Sequence, residues 1–287
     1  MKLMSLQGNA YKLDGGAMFG NAPKVLWERW IKADEQNRIR LATRPLLAVT
    51  KNEKILFEAG IGTYMEPKYR ERFGVDEPEH MLLKSLEERG IASQEITHIF
   101  LTHLHFDHAG GLLGAWREGV EAELLFPNAR YFVSQAAWDR AVHPHLRDKA
   151  SFIPLLNRKL ESSGRLVKLP NTTAISLGDL QIRFIRSDGH TPGMFCFDLH
   201  SGKNRLVYVS DLIPGISWLH PPISMGYDRF PELLIDEKNT LLPSLAADRA
   251  WIFYVHDPEI AVSRVQFDEK HQTYLAVDPE RDLTVDF

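Results

Sequence analysis

The sequence predicts an α/β protein with two sheets and helices packed outside them. Three observations support this fold class. Short apolar runs occur in pairs separated by turn residues, which is typical of β-hairpins. Segments with helical spacing of apolar residues lie between other apolar runs. Several apolar runs end on a histidine or a carboxylate, and an α/β fold places its functional loops at strand ends.

The first predicted element is a hairpin around Asn52. Further along the chain, strand 96–101 leads to a loop that contains Gly110-Gly111, and we expect a helix beyond this glycine pair. The predicted elements in chain order are hairpin 46–50/54–58, helix 81–89 ending at Gly90, strand 96–101, strand 130–134, helix 135–142, hairpin 174–176/180–185, hairpin 194–199/206–210 and a final short strand 251–255.

Composition predicts one globular domain over residues 1–287. Hydrophobic residues make up 44% and charged residues 25% of the chain, which is enough apolar material for a large core. The polar and aromatic segment 62–80 has no clean period, and we expect it to be an insertion that forms a flap over a site. No repeat or linker divides the chain.

The charge pattern and the apolar runs limit the partners. A net charge of −4 without any basic block argues against a nucleic-acid partner. No stretch approaches 18 apolar residues, and the first residues lack the apolar segment of a signal peptide, so we expect no membrane partner and a cytoplasmic location.

The strongest functional signal is the run from Thr102 to Gly111. It places His103, His105, Asp107 and His108 in six residues directly after a predicted strand. Neutral imidazole and carboxylate together suit zinc, iron or manganese. Because a crowd of three imidazoles and a carboxylate has no obvious structural benefit without an ion, the run predicts a metal site.

Three further ligand-type residues stand where other apolar strands end. His190 follows strand 180–185 among turn residues, Asp211 ends the run 207–210, and His256 ends strand 251–255. Each residue alone is compatible with an ordinary turn. Together with the first run, and in this order, they predict a shared metal centre.

The order HxHxDH, then His, Asp and His, resembles the metallo-β-lactamase-fold hydrolases. The run Leu104–Gly111 is similar to that of N-acyl-homoserine-lactone lactonases. Segments 13–20, 23–27, 34–41 and 225–228 are similar to the YtnP-like quorum-quenching branch. The resemblance implies a four-layer αββα sandwich with two divalent metals at one edge, zinc first, with iron, manganese or cobalt as alternatives.

The resemblance also implies which residue binds which metal. One metal takes His103, His105 and His190, the other takes Asp107, His108 and His256, and Asp211 bridges them. It further implies a small-molecule substrate and a homodimer. Our hypothesis is a hydrolase that opens lactone or related ester bonds, among them N-acyl-homoserine lactones, through a metal-bridging hydroxide. The catalytic carboxylates are then Asp107, which helps to protonate the leaving oxygen, and Asp211.

Three positions depart from the family pattern. Pro214 stands where the lactonases carry a substrate-contacting tyrosine, and Glu58 stands where an aspartate is usual, from where it could orient a metal ligand. Trp218 stands where the YtnP-like branch is expected to carry a histidine. The predicted apolar pocket residues are Met18, Phe19, Trp27, Trp30 and Trp218, for each of which core packing is the alternative. Tyr227 is the candidate replacement for the tyrosine lost at Pro214, and His220 is the candidate substitute for the histidine lost at Trp218.

Other functions stay open at this point. A thioester or phosphodiester hydrolase on the same scaffold uses similar ligands. A non-catalytic metal-binding sensor is the alternative from a different class, and the complete ligand set argues against it.

Overall fold

The structure is a computed structural model and describes residues 1–170 and 172–287. The strands are β1 Lys2–Ser5, β2 Tyr11–Asp14, β3 Arg38–Leu41, β4 Leu46–Val49, β5 Lys54–Phe57, β6 His98–Phe100, β7 Arg130–Ser134, β8 Leu166–Leu169, β9 Ala174–Leu177, β10 Leu180–Ser187, β11 Met194–Ser201, β12 Asn204–Tyr208, β13 Trp251–Phe253, β14 Val262–Asp268, β15 Thr273–Glu280 and β16 Thr284–Asp286. The helices are α1 Gly15–Met18, α2 Lys24–Trp27, α3 Pro67–Arg72, α4 Met81–Glu87, α5 Phe106–Ala109, α6 Gln135–Val142, α7 Pro154–Ser162 and α8 Pro231–Asp248.

Two seven-stranded mixed sheets form the centre of the molecule. The first has the order β16-β1-β4-β5-β6-β7-β8, in which β5 to β8 are parallel. The second has the order β15-β14-β13-β12-β11-β10-β9, in which β12 and β13 are parallel. Strands β2 and β3 form a separate antiparallel pair.

Alternation along the strands divides the apolar residues among three cores. In β5, Ile55 and Phe57 belong to the core between the sheets, whereas Leu56 belongs to the core under α4, α6 and α7. In β12, Tyr208 faces the core between the sheets and Val207 faces the core that includes α8. Successive side chains of a strand point to opposite faces, so each inner strand serves two cores. The layers are therefore helix, sheet, sheet, helix, and the predicted αββα sandwich is confirmed.

The predicted hairpins are present with the expected antiparallel pairing. Two predictions about elements were wrong. The helix near the glycine pair is α5, which begins before Gly110, and a single 3-10 turn follows it over Gly110–Leu112. Strand 251–255 is not the last one, because β14, β15 and β16 follow it and complete both sheets. Their charged residues, as in Val262–Asp268, hide the apolar run that an inner strand shows.

The topology brings several loops to one edge. Strands β5 and β6 are parallel and end together, and so do β12 and β13 in the second sheet. Strand β10 also ends at this edge, because it is antiparallel to β11, which is antiparallel to β12. Over the described residues, no helix has both the length and the apolar character needed to cross a membrane.

Candidate metal centre

The predicted ligands lie in the loops that follow these strands. His103, His105, Asp107 and His108 follow β6, and His190 follows β10. Asp211 lies in a 3-10 turn after β12, and His256 follows β13. All seven side chains are buried. The four loops meet at one edge of the two sheets and are buried there, which holds the side chains close together although they come from four parts of the chain.

The structure gathers the seven residues into two groups of donor atoms that lie within 4.8 Å of one another in each group. The first group is His103, His105, His190 and Asp211, and the second is Asp107, His108 and His256. This division is the one that the family resemblance implied, and the groups are formed by the chain itself.

Asp211 lies between the two groups. Its Oδ2 is 3.0 Å from Nε2 of His190 in the first group, and its Oδ1 is 3.1 Å from Nε2 of His256 in the second. Nε2 of His108, also in the second group, is 3.3 Å from Oδ2. One carboxylate thus meets ligands of both groups, as a bridging residue must.

The donor set fits divalent metal ions. Nε2 of His103, Nε2 of His105 and Oδ1 of Asp211 are buried and have no hydrogen-bond partner among residues 1–170 and 172–287. Buried polar atoms without partners are rare because their desolvation is not compensated. Imidazole nitrogen with carboxylate oxygen is a ligand combination that zinc and related metals prefer. The unpaired atoms are therefore accounted for if they bind metal.

Burial and the neighbouring charges both shift the pKa values of the ligand side chains. Burial lowers the pKa of His103 and of His105 well below the usual histidine range, so both are neutral and free to bind metal. Burial raises the pKa of Asp211, but the positive charges of His108, His190 and His256 outweigh that effect and hold the pKa of Asp211 well below the usual range. The bridging carboxylate is therefore ionised.

A second layer of hydrogen bonds orients the imidazoles. Nδ1 of His190 lies 2.9 Å from Oδ1 of Asp228, and Nδ1 of His256 lies 2.8 Å from the carbonyl oxygen of Ala42. Both partners accept, so each Nδ1 donates and the Nε2 lone pair points into the cluster. The sequence did not single out Asp228 as a site residue.

Glu58, which directly follows β5, orients His108 of the second group. Its Oε2 accepts from Nδ1 of His108 at 2.8 Å and from the hydroxyl of Tyr208 at 2.8 Å, and its Oε1 accepts from Thr102 and from Ser210. Glu58 also lies close enough to His103 and His108 to be a ligand itself, but these bonds occupy its oxygens. Glu58 and Ser210 both have left-handed backbone conformations, at φ +63° and +47°, which is unusual for residues with side chains.

Tyr11 is a site residue that sequence reasoning missed. Its hydroxyl donates to Oδ2 of Asp107 at 2.5 Å, and its ring lies edge-on to His256 at 5.8 Å between ring centres. Burial and the Asp107 carboxylate raise the pKa of Tyr11 well above the usual range, so it stays a donor. No sequence signal marks Tyr11, because it reaches Asp107 across 96 residues of chain.

A cavity of about 270 Å³ opens above the ligands. We call the seven ligand residues the cavity floor, although His103 and His108 lie behind the five that line the cavity, and we call the other lining residues, apart from Tyr11, the cavity wall. The cavity wall consists of Leu13, Met18, Arg72, Phe73, Phe106, Arg147, Asp148, Ala150, Ser151, Met225, Gly226 and Tyr227. Arg72 and Phe73 come from the segment 62–80 that was expected to lie over the site.

Only two of the predicted pocket residues line the cavity, namely Met18 and Tyr227. Phe19 is stacked between Trp27 and Trp218 in the core, at 5.4 Å and 4.6 Å between ring centres. The assignment of Phe19, Trp27 and Trp218 to the pocket was wrong, because the three rings pack against one another behind the cavity wall. Trp218 still supports the wall, since its Nε1 donates to the carbonyl oxygen of Met18 at 2.9 Å.

His220, Trp30 and Pro214 also lie outside the cavity lining. His220 is exposed and lies 2.8 Å from Oγ1 of Thr273, so its assignment to the pocket was wrong. Trp30 is 41% exposed and packs on the outer side of Phe19. Pro214 is buried, and its carbonyl oxygen accepts from the backbone N–H of His256 at 2.9 Å. The tyrosine hydroxyls at the cavity are those of Tyr11 and Tyr227.

Comparison with known proteins agrees with this geometry. The sequence profile of the metallo-beta-lactamase superfamily matches residues 43–256, a span that contains all seven ligands. The chain belongs to the metallo-beta-lactamase superfamily. It is a hydrolase of that superfamily, as its relatives are.

Two kinds of curated relative of this metallo-beta-lactamase protein are similar at low identity. An N-acyl homoserine lactonase of Bacillus thuringiensis is 26% identical over 205 residues, which cover 69% of each chain. An acyl-coenzyme A thioesterase of Bos taurus is 26% identical over 177 residues. That match covers 58% of this chain and 58% of the thioesterase, so the chain spans little more than half of that relative.

Solved structures of the superfamily match almost the whole chain. A probable metal-dependent hydrolase from Staphylococcus aureus has a TM-score of 0.83 and 28% identity, with 96% of both chains covered. AidC, a dizinc quorum-quenching lactonase, has a TM-score of 0.75 and 24% identity, with 97% of this chain and 94% of that chain covered. At that identity the second match shows the shared fold.

Proposed function

We propose that this chain is a two-metal hydrolase that opens lactone or related carboxylic ester bonds. The observation that carries the proposal is the convergence of both ligand groups on Asp211 at the base of the cavity. Leu13, Met18, Phe73 and Met225 give the cavity wall an apolar character that suits an acyl chain. The reactive bond of such a substrate would lie next to Asp107 and Asp211.

We infer two zinc ions as the resident metals, held by the two ligand groups with Asp211 shared. When bound, such a pair lowers the pKa of water to near neutrality and polarises the scissile carbonyl. Imidazole and carboxylate ligands support zinc, and iron, manganese or cobalt fit the same donor set.

The chain's own residues supply orientation and proton transfer. Tyr11 donates to Oδ2 of Asp107 and so fixes the plane of that carboxylate, whose Oδ1 is turned toward His108 at 3.8 Å. Addition of water across the ester bond leaves a carboxylate, an alcohol and one released proton. Asp107 would carry the proton to the departing oxygen, since it is the buried carboxylate of the second group that lines the cavity.

Two relatives support different substrates within this proposal. The lactonase similarity of 26% over 69% of the chain supports N-acyl-homoserine lactones, and with them a role in quorum quenching. The thioesterase similarity supports a thioester as the second candidate. A small-molecule substrate without nucleic acid or membrane partners, a homodimer and a cytoplasmic location remain predictions.

The test is proton release from a panel of substrates. The panel contains acyl-homoserine lactones of several chain lengths, simple γ- and δ-lactones, a hexanoyl thioester and a phosphodiester. Each is tested with protein as purified, with chelated protein and with protein reloaded with zinc. Chelator-sensitive lactone opening that zinc restores is the expected result. Hydrolysis of the thioester alone would transfer the proposal to the second candidate, and turnover that survives complete metal removal would refute both.

A further inference from the structure

The cavity wall carries positive charge although the chain has a net charge of −4. Arg72 and Arg147 are exposed and line the same cavity, whose buried end holds Asp107 and Asp211. Neither guanidinium forms an ion pair within 4.0 Å in the part of the chain that the structure describes. Arginine side chains in a site without a carboxylate partner are available for a ligand.

Contacts hold both arginines at the cavity. Nη2 of Arg147 donates to the carbonyl oxygen of Gly226 at 3.0 Å, which ties it to the wall segment 225–227. The guanidinium of Arg72 lies 5.9 Å from the ring centre of Phe73, its neighbour in the wall. These contacts use one N–H group of Arg147 and the face of Arg72, and the other donors remain free.

The surroundings of Arg147 increase the positive potential. Arg140 binds Asp148 through Nε and Nη2 at 2.8 and 2.7 Å, and Arg229 lies 3.8 Å from the same oxygen. Nε and Nη1 of Arg229 are buried and have no hydrogen-bond partner among residues 1–170 and 172–287. The guanidiniums of Arg140 and Arg229 therefore share the single carboxylate of Asp148 and that of Arg147 has no ion-pair partner among residues 1–170 and 172–287, which leaves excess positive charge beside the cavity.

A second cavity of about 640 Å³ extends from this point. It shares Arg147, Met225 and Gly226 with the first cavity, and Arg229 and Glu232 also line it. The two cavities therefore adjoin at Arg147. A plain lactone ring would leave both this space and the arginines unused.

We propose that Arg147, with Arg72, binds an anionic group of the substrate, a phosphate or a carboxylate, which an arm joins to the ester or thioester cleaved at the cavity floor. This inference rests on the proposed hydrolase function and names its substrate class. Guanidinium stays charged at all physiological pH values, and its paired N–H groups match two oxygens of either anion.

The experiment compares thioesters that differ in charge. Hexanoyl-coenzyme A and hexanoyl-N-acetylcysteamine share the acyl group and an alkyl thiolate leaving group, but only the first carries phosphates. Adipoyl-N-acetylcysteamine adds a carboxylate at the other end. We expect kcat/KM to be about ten-fold higher for one of the anionic thioesters than for the neutral one, since a charge-assisted hydrogen bond has that value. A higher kcat/KM for hexanoyl-coenzyme A would identify the anion as phosphate, and a higher kcat/KM for adipoyl-N-acetylcysteamine would identify it as carboxylate.

Variants test whether Arg147 is responsible. Arg147→Gln should remove the preference by raising KM for the favoured anionic thioester by a larger factor than KM for the neutral one. Arg183→Gln is the matched control, because Arg183 is exposed on β10, bonded to Gln181, and lines neither cavity. Equal kcat/KM for all three thioesters, or an equal loss in both variants, would overturn the inference and leave the hydrolase function intact.

A binding measurement separates this inference from catalysis. S-hexyl-coenzyme A and S-hexyl-N-acetylcysteamine are thioethers that cannot be hydrolysed, and their affinities are measured by calorimetry on zinc-loaded protein. If phosphate is the anion, wild type binds the coenzyme A thioether about ten-fold more tightly than Arg147→Gln does, and the difference shrinks with added salt. S-(5-carboxypentyl)-N-acetylcysteamine is the carboxylate probe. Equal affinity of wild type and variant for both anionic probes refutes the anion site, even if no substrate of the panel is turned over.

Discussion

The cavity floor and the cavity wall are built in different ways. Every floor residue is buried and follows a strand end, and three of its histidines are oriented by hydrogen bonds that they donate to Glu58, Asp228 and a backbone carbonyl. The wall is assembled from five separate segments and includes exposed side chains, such as Tyr227 at 40% exposure. Under the proposed function, this difference assigns reactivity to the buried floor and substrate choice to the more exposed wall.

The sharpest test of the floor is Asp211→Asn. The amide cannot supply two anionic oxygens to both ligand groups, so we expect metal content to fall and kcat/KM to drop about a thousand-fold or more, since several kcal/mol of metal stabilisation are lost. Metal analysis and turnover measure both effects. Asp268→Asn, at a carboxylate on the surface that accepts from His271, is the control. Full metal with full rate in Asp211→Asn would remove the bridging role.

Separate substitutions behind the floor compare its two groups. Glu58→Gln weakens the support of His108 in the second group, and Asp228→Asn weakens the support of His190 in the first. Each should lower metal affinity by about 10- to 100-fold, as outer partners of ligands do. Competition with a chelator measures the affinities. If neither variant changes them, the floor does not depend on its hydrogen bonds.

Tyr11→Phe tests the contact between the N-terminal strand pair and the floor. Loss of the 2.5 Å bond to Asp107 should lower kcat about ten-fold with metal content retained, because a charge-assisted hydrogen bond contributes about 1.5–3 kcal/mol. Tyr254→Phe removes a buried hydroxyl that contacts Ser263 instead, and should keep its kcat. A loss of metal in Tyr11→Phe would mean that Tyr11 holds the ligand set rather than the reacting carboxylate.

The last prediction concerns the support of the wall and is an effect on stability, with no change expected in the chemistry at the floor. Lys238 in α8 donates to the carbonyl oxygens of Trp218 and Ile223 at 2.9 and 2.6 Å, and burial lowers its pKa to about 7. In the unfolded chain the pKa is about 10.4, so the unfolded state binds more protons between these values. The free energy of unfolding therefore rises with pH from about 7 to 10, by up to about 1.4 kcal/mol per pH unit.

Urea unfolding at pH 7.0 and 9.5 measures this slope for wild type and for Lys238→Met, where the contribution should vanish. Lys203→Met, in the exposed turn between β11 and β12, should keep the wild-type slope. The same slope in Lys238→Met and wild type would show that Lys238 does not titrate in the folded protein over this range.

The difference between floor and wall also explains what the sequence could predict. The candidate ligands could be predicted because six adjacent residues hold four of them and because His190, Asp211 and His256 follow apolar runs. Tyr11 and Asp228 were missed because only tertiary folding brings them to their partners. Phe19, Trp27 and Trp218 were misplaced because an aromatic cluster looks alike in sequence whether it lines a cavity or packs behind it. Strands β14 to β16 were missed because charged residues interrupt their apolar pattern.

Glu58 has a consequence for how the molecule moves. It follows β5 of the first sheet and accepts from Tyr208 of β12 and from Ser210 directly after β12 in the second sheet, as well as from Thr102 and His108 of the loop after β6. One buried carboxylate thus joins the two halves of the sandwich at the candidate metal centre. Parting the sheets at this edge would break both buried hydrogen bonds that cross from the second sheet to Glu58. Breathing motions that admit a substrate or release a product therefore belong to the wall.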